Sequence, residues 1–502
     1  MSLSRRGFLA LSALVGVSGP VRAEVSPSAR LRRLIEPELE ALGRWAKSVG
    51  ARFGGTFADV ATGAEIASAL ADAPMNPASN QKLVTAGVAL RFLGPTFTFS
   101  AGLYGQITAG RVDELVLRAE GDPSLTRGDL EAFVKALADK GIHSIGDVVV
   151  DQSAFDEHFV PPGFEQQPDE WAAFRAPVSA VSLDRNSVLV SIAPGERNAQ
   201  ARISFDPSGF VDVEGHIKTS PSGTPSRARV GLAAKGERLV AKVSGSVPEG
   251  SEPIRYRQRV DDPRVLAGYA LRNALTGAGI HVTGVVRSGG AVQRSELVSR
   301  RSRSLAELLP ELGKQSDNFY AETLLKAVAL KARGRPASSG AGAEIAVAWL
   351  KEIGAWDSGV QVGNGSGLFD ANRLTARSLA RLLVSMQQAP GLSEPFLAQL
   401  AVGGVDGTLR GRFPKLAQRR AVLAKTGTLR DVVALSGYVM DRDRTRPVAF
   451  SLLLNDLAGR AAVGRQKIDR IVELVANELA GPTARERPPA EAGETRPRAA
   501  GG

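Results

Sequence analysis

Three short motifs constrain this chain more than any other feature of it. Ser79-Asn80-Gln81-Lys82 is its one S-x-x-K, Ser316-Asp317-Asn318 contains its one S-x-N, and Lys425-Thr426-Gly427 is its one K-T-G. One tetrad with two free positions arises by chance in a chain this long. Three unique matches in a fixed order call for a fold that brings all of them to one place.

The first motif has a local physical reading. Pro74 and Pro77 break the chain, and Leu83, Val84, Val88, Leu90 and Leu93 then recur at near-helical intervals until Gly94-Pro95 stops them. Ser79 is therefore expected at a helix N-terminus, with Lys82 nearly one turn on and on the same face. Unpaired N–H groups and partial positive charge lie beside the serine there. Alone, the segment reads equally well as a serine cap followed by a solvated lysine. A serine nucleophile needs a base, and the four histidines, His143, His158, His216 and His281, share no metal-ligand spacing and lie far from the motifs in sequence. Lys82 is placed for the role if desolvation or a second cation lowers its pKa. Lys425 is the candidate cation if the third motif lines the same cleft.

The chain opens on Ser4-Arg5-Arg6-Gly7-Phe8-Leu9, an apolar run from Leu9 to Val17, and Val21-Arg22-Ala23 as a cleavage site. Residues 1–23 read as a signal peptide, of twin-arginine type by its arginine pair, with an ordinary Sec signal as the competing reading. Its removal takes away three arginines and lowers the formal charge from +11 to +8. No other apolar run approaches the ~18 residues of a membrane span, so a periplasmic or otherwise extracytoplasmic location is expected. The absence of cysteine excludes disulfides, thiolate metal sites and cysteine catalysis. A pI near 10 suits an anionic wall polymer. With only 5% aromatic residues and no recognisable binding module, nucleic acid is not expected as a partner.

Between Lys82 and Ser316 lie well over two hundred residues, far more than two active-site motifs require. Before this insertion, Leu31, Leu34, Ile35, Leu39, Leu42 and Trp45 form a helical stripe in which Pro37 predicts a start or a kink. Phe53–Val60 and Ile66–Leu70 read as a hairpin. The insertion itself predicts a strand at 113–117, a helix at 126–140 and a strand at 146–150. A strand- and turn-rich middle follows at 181–250, then a helix at 264–275 and a closing strand at 281–287. After it come helices around Leu308, at 319–330, 343–353 and 374–388, apolar strands at 422–425, 434–439 and 448–454, and a last helix through Ile468 and Leu479.

The ordered trio is the signature of penicillin-binding proteins and serine β-lactamases. Over nearly all of its mature length the chain resembles the class C low-molecular-mass penicillin-binding proteins, the D-alanyl-D-alanine carboxypeptidase/endopeptidase group. Gly121-Asp122-Pro123, Asp184-Arg185-Asn186-Ser187, Gly363-Asn364-Gly365-Ser366-Gly367-Leu368 and Gly404-Val405-Asp406-Gly407-Thr408-Leu409 add to the likeness. It departs from the family at Asn364, more often Asp, and at Phe369, more often polar. The resemblance implies an α/β (α+β) penicillin-recognising serine transpeptidase-like domain, an antiparallel sheet with flanking helices, interrupted by a long β-rich two-part insertion. That gives a first part at 24–95, an accessory domain at 96–180 and 253–296 with a nested β-rich domain at 181–252, a second part at 297–481, and a disordered tail at 482–502.

The same resemblance implies the roles. Ser79 is the acylated catalytic residue, and Lys82 belongs to the catalytic set, with the group that takes the serine proton left open. Ser316 relays a proton to the leaving amine, and Asn318 contacts Lys82 and the substrate amide. Lys425 and Thr426 hold the terminal carboxylate, Gly427 admits the substrate backbone, and the N–H groups of Ser79 and Thr428 form the oxyanion hole. The expected activity is a D-alanyl-D-alanine carboxypeptidase/endopeptidase acting on peptidoglycan peptides, with β-lactam antibiotics as covalent inhibitors and neither cofactor nor metal. A β-lactamase or esterase on the same scaffold and an inactive wall-binding protein are the alternatives. Pairing as a homodimer is left open.

Overall fold

The structure, a computed structural model, describes residues 27–167, 170–290, 294–414 and 416–481. The expected signal and tail lie outside these. Its frame is a six-stranded antiparallel sheet in the order 401–402, 422–429, 432–439, 448–455, 52–59, 65–69. The sheet is covered on both faces, which explains why its inner strands read as unbroken apolar runs. Phe450, Leu452 and Leu454 face the terminal helices Pro27–Ser48 and Ala461–Ala480, through Ile35, Leu39, Ile468 and Val472. Ala449 and Leu453, one residue out of phase, face the helices of the other side. The N-terminal helix starts at Pro27 and runs on through Pro37. Its amphipathic stripe, buried on Leu31, Ile35, Leu39 and Leu42, outweighs the hydrogen bond that Pro37 cannot make.

On that second face lies the serine helix, Gln81–Leu93, buried from Gln81 through Leu90, the polar Gln81, Lys82 and Thr85 included. Helices Leu305–Gly313, Asn318–Arg333, Ser339–Glu352 and Ala376–Gln388 surround it. Among the described residues no helix is long and apolar enough to cross a membrane.

The insertion carries a seven-stranded mixed sheet with helices Arg127–Asp139 and Leu266–Gly277 packed against it. Its central strands, Arg111–Ala119 and Ser144–Asp151, run parallel. The expected closing strand at 281–287 is two short strands, His281–Val282 and Val286–Gly289, both parallel to Ser144–Asp151. The β-rich middle forms three small sheets, and one apolar cluster runs through it and the larger sheet alike, from Leu115 and Val148 to Val190 and Leu239.

Two expected boundaries cut across paired strands. Ile254–Arg259 pairs with Ser187–Ala193 and so belongs with the middle block, beyond the 252/253 boundary. Glu296–Arg301 pairs with Ser100–Tyr104 and completes the insertion's sheet, so the insertion runs past 296. Both strands carry little apolar content, and only their partners reveal where they belong.

Candidate active site

Ser79 lies in a 3-10 turn, Ala78–Asn80, that leads directly into the serine helix. Ala78 is held at φ 45, a left-handed conformation that L-residues adopt only under constraint. Two glycines supply the constraint by close approach. A Cβ on Gly367 would sit 1.8 Å from the Ala78 carbonyl oxygen, and one on Gly427 would sit 2.8 Å from that of Pro77 and 2.9 Å from Asn80 Nδ2. The third-motif glycine therefore makes room for the serine turn. This close approach to the serine turn was not announced by the motif itself.

Lys82 points back under the serine. Its Nζ lies 3.0 Å from Ser79 Oγ, 2.7 Å from Asn318 Oδ1 and 2.9 Å from the Ser366 carbonyl oxygen. The side chain is fully buried. Burial lowers its pKa from the ordinary lysine value to about 7, against the opposing pull of the Glu322 and Asp317 charges. Of the two causes left open by the sequence, desolvation or a second cation, desolvation is the one that acts here.

Lys425 is also fully buried, and burial together with the Lys82 charge holds its pKa well below the ordinary value. Its Nζ donates to Ser316 Oγ at 2.8 Å and to the Thr426 carbonyl at 2.9 Å. Ser316 itself sits at φ 60. Next to it, Asp317 caps helix Asn318–Arg333 by accepting the Tyr320 N–H at 3.1 Å. Residues 401–402 pair only with Leu423 and Ala424, so from Lys425 onward that edge of the motif strand has no neighbouring strand among the described residues. Thr426 Oγ1 donates to Thr408 Oγ1 at 2.9 Å, and Thr428 is exposed. Ser79, Ser316, Asn318 and Thr428 line one cleft of about 730 Å³.

Three contributions were not legible in the motifs. Glu322, one helical turn beyond Asn318, is buried and accepts the Gly365 and Ser366 N–H groups at 3.0 and 2.8 Å, fixing the loop whose carbonyl receives Lys82. Its i, i+4 spacing from Asn318 was the available signal. The Phe174 carbonyl accepts Asn318 Nδ2 at 3.0 Å, and no local pattern announces a backbone oxygen from the insertion. Thr408 reaches the third motif from a loop whose Asp406 pairs with Lys314.

The two family departures differ in place: Asn364 is enclosed in the core, whereas Phe369 lines the cleft. Asn364 is buried, donating to Pro162 and Leu368 carbonyls and accepting from Gly367 N and Asn372 Nδ2. Phe369 stacks edge-on against Phe164 and under Arg175. The four histidines lie outside the cleft. Among the described residues no group of three or more His, Asp or Glu side chains is gathered to hold a metal.

Residues 41–478 match the D-Ala-D-Ala carboxypeptidase 3 (S13) family. The chain is 32% identical over 474 residues to a D-alanyl-D-alanine carboxypeptidase of Actinomadura sp. (strain R39), covering 90% of this chain and 86% of that one. It resembles the crystal structure of penicillin binding protein 4 (dacB) from Haemophilus influenzae with a TM-score of 0.72 and 26% identity, over 91% of this chain and 99% of that one. The same protein complexed with a β-lactam matches with a TM-score of 0.69 and 25% identity, over 87% and 99% of the two chains.

Proposed function

The chain belongs to the D-Ala-D-Ala carboxypeptidase 3 (S13) family, and from that premise we propose how its residues carry out serine DD-peptidase chemistry. The carrying observation is the set of partners around Lys82. Asn318 Oδ1 and the Ser366 carbonyl can only accept hydrogen bonds, whereas the Ser79 hydroxyl can also donate. The Phe174 carbonyl, itself only an acceptor, turns the Asn318 amide so that its oxygen faces Lys82. A neutral Lys82 gives its two N–H bonds to the two acceptors and directs its lone pair at the Ser79 hydroxyl.

Ser79 Oγ then attacks the carbonyl of the penultimate D-alanine while its proton passes to Lys82. The oxyanion is received by the N–H groups of Ser79 and Thr428, which share the cleft. Ser316, held by Lys425, relays a proton to the departing amine and regains its own from the proton that Lys82 took, which leaves Lys82 neutral again. Water then attacks the acyl carbonyl, gives its proton back through Lys82 to Ser79 Oγ, and releases the acid. The open edge of the motif strand suits an extended peptide whose terminal carboxylate meets Lys425 and Thr426. That carboxylate supplies the negative charge that buried Lys425 lacks.

The substrates we propose are peptidoglycan stem peptides, with β-lactams as covalent inhibitors that stop at the acyl-enzyme. The likeness to carboxypeptidases spans the insertion as well as the motifs, so the β-lactamase or esterase alternative is not favoured. Digestion of purified cross-linked peptidoglycan tests this. Release of terminal D-alanine or of uncross-linked peptides is expected, and intact peptidoglycan beside rapid penicillin turnover would reverse the reading. The twin-arginine-like segment supports export to an extracytoplasmic site. Replacing Arg5 and Arg6 by lysine should leave precursor in the cytoplasm, and normal export of that variant would favour the Sec route.

A further inference from the structure

Asp184, Arg185 and Asn186, at φ 51, 53 and 48, form three consecutive left-handed residues without a glycine among them. Such a turn persists only where its surroundings over-determine it. Here they do. Asp184 pairs with Arg127 at 2.7 Å and Arg257 at 3.3 Å. The buried Asn186 amide donates to the Pro177 carbonyl at 2.9 Å and reaches the Ser179 and Ser182 hydroxyls. The turn projects Arg185 out of the insertion. Its Nε donates to Asp317 Oδ2 at 2.6 Å, Glu311 lies 3.8 Å from its Nη2, and its guanidinium lies over the Tyr320 ring.

Asp317 is the middle residue of the second motif. One carboxylate oxygen caps the helix through Tyr320 N–H, and the other is taken by Arg185. On one side of it stands Ser316, strained at φ 60 and bonded to Lys425; on the other stands Asn318, bonded to Lys82. We propose that Arg185 is a positioning residue for the peptidase reaction: the insertion reaches into the second motif and, through Asp317, holds Ser316 and Asn318 against the two lysines. This rests on the active-site reading above. It makes the insertion part of the catalytic apparatus and gives its strained turn a purpose.

Charge gives the role a signature that packing alone would not. Glu322 and Asp317 both favour protonated Lys82, buried Lys425 stands beyond Ser316, and Arg185 is faced by Asp317, Glu311 and Tyr320. Arg185 offsets the Asp317 charge, so its loss should raise the pH at which Lys82 becomes neutral.

The test is the pH dependence of acylation by a chromogenic β-lactam, with melting temperature measured alongside, in the full chain. The Arg185 side chain is 48% exposed, so Arg185→Ala should fold. It should acylate roughly tenfold to a hundredfold more slowly, with the rising limb moved to higher pH. Arg185→Lys keeps the cation but not the fork; it should restore the limb and only part of the rate. The pair Arg185→Ala, Asp317→Asn should bring the limb back while the rate stays low. An Arg185→Ala protein with wild-type rate and limb overturns the proposal, as does one whose rate and melting temperature fall together with the limb unmoved. A folded Ser316→Ala protein that acylates normally would overturn the active-site reading itself, a result separable from any obtained at Arg185.

Discussion

Gly427→Ala separates two explanations of the third motif. A Cβ at this position would lie 2.8 Å from the Pro77 carbonyl oxygen, 2.9 Å from Asn80 Nδ2 and 3.0 Å from Ala434 Cβ, where ordinary contact begins near 3.4 Å. The strand is paired along its inner edge with 432–439 and cannot retreat easily, so the serine turn must yield by about half an ångström. Overpacking of this kind costs about 1–3 kcal/mol, visible as a lower melting temperature. The chemical effect should be of similar size. Pro77 and Asn80 flank Ser79, whose Oγ must stay near Lys82 Nζ, now 3.0 Å away. A misplacement of ~1 Å costs about a hundredfold in rate, so half of that predicts roughly tenfold slower acylation. Stopped-flow acylation should be measured with a β-lactam and with a small thioester too short to reach the motif strand. Both should slow by the same factor, because the nucleophile itself has moved. Acylation of folded Gly427→Ala by the thioester at the wild-type rate would refute this reasoning and leave admission of the substrate backbone as the role of Gly427.

Two further outcomes follow from the buried lysines. Lys425→Ala should abolish the preference for substrates with a free terminal carboxylate over their amides. Its rising pH limb should remain near 7, because burial rather than Lys425 lowers the Lys82 pKa; a full-unit upward shift would make like-charge repulsion the main cause. Between pH 7 and 10.5 the unfolded chain holds a proton at Lys82 that the folded chain sheds, so stability should rise with pH across that window. The proton linkage amounts to roughly 5 kcal/mol at most. Lys82→Met should lessen that slope in denaturant titrations at several pH values, leaving the part that buried Lys425 contributes, and an unchanged slope would mean that folded Lys82 stays protonated.

What the sequence made legible was local. The Ser79 and Lys82 spacing, the hairpin and the apolar strands each depend on neighbours within a turn or a strand, so periodicity alone located them. What it hid was long-range. The strands at 254–259 and 296–301 look alike as polar extended segments, and only pairing assigns them. That Gly427 also packs against Pro77 is seen only once the chain is folded. The contributions of Phe174, Arg185 and Glu322 depend on a backbone oxygen, a strained turn and a buried loop brought in from elsewhere in the chain. Lys82 shows the limit in energetic terms. That its pKa must fall was foreseeable from chemistry, but whether burial or a second cation lowers it depends on packing.

The most direct test of the account is to react the purified protein with a penicillin and locate the adduct by peptide mass analysis. The account predicts one covalent acyl group, on Ser79, formed with a rising pH limb near 7 and absent from a folded Ser79→Ala protein. An adduct on another residue, or labelling that survives in Ser79→Ala, would contradict it.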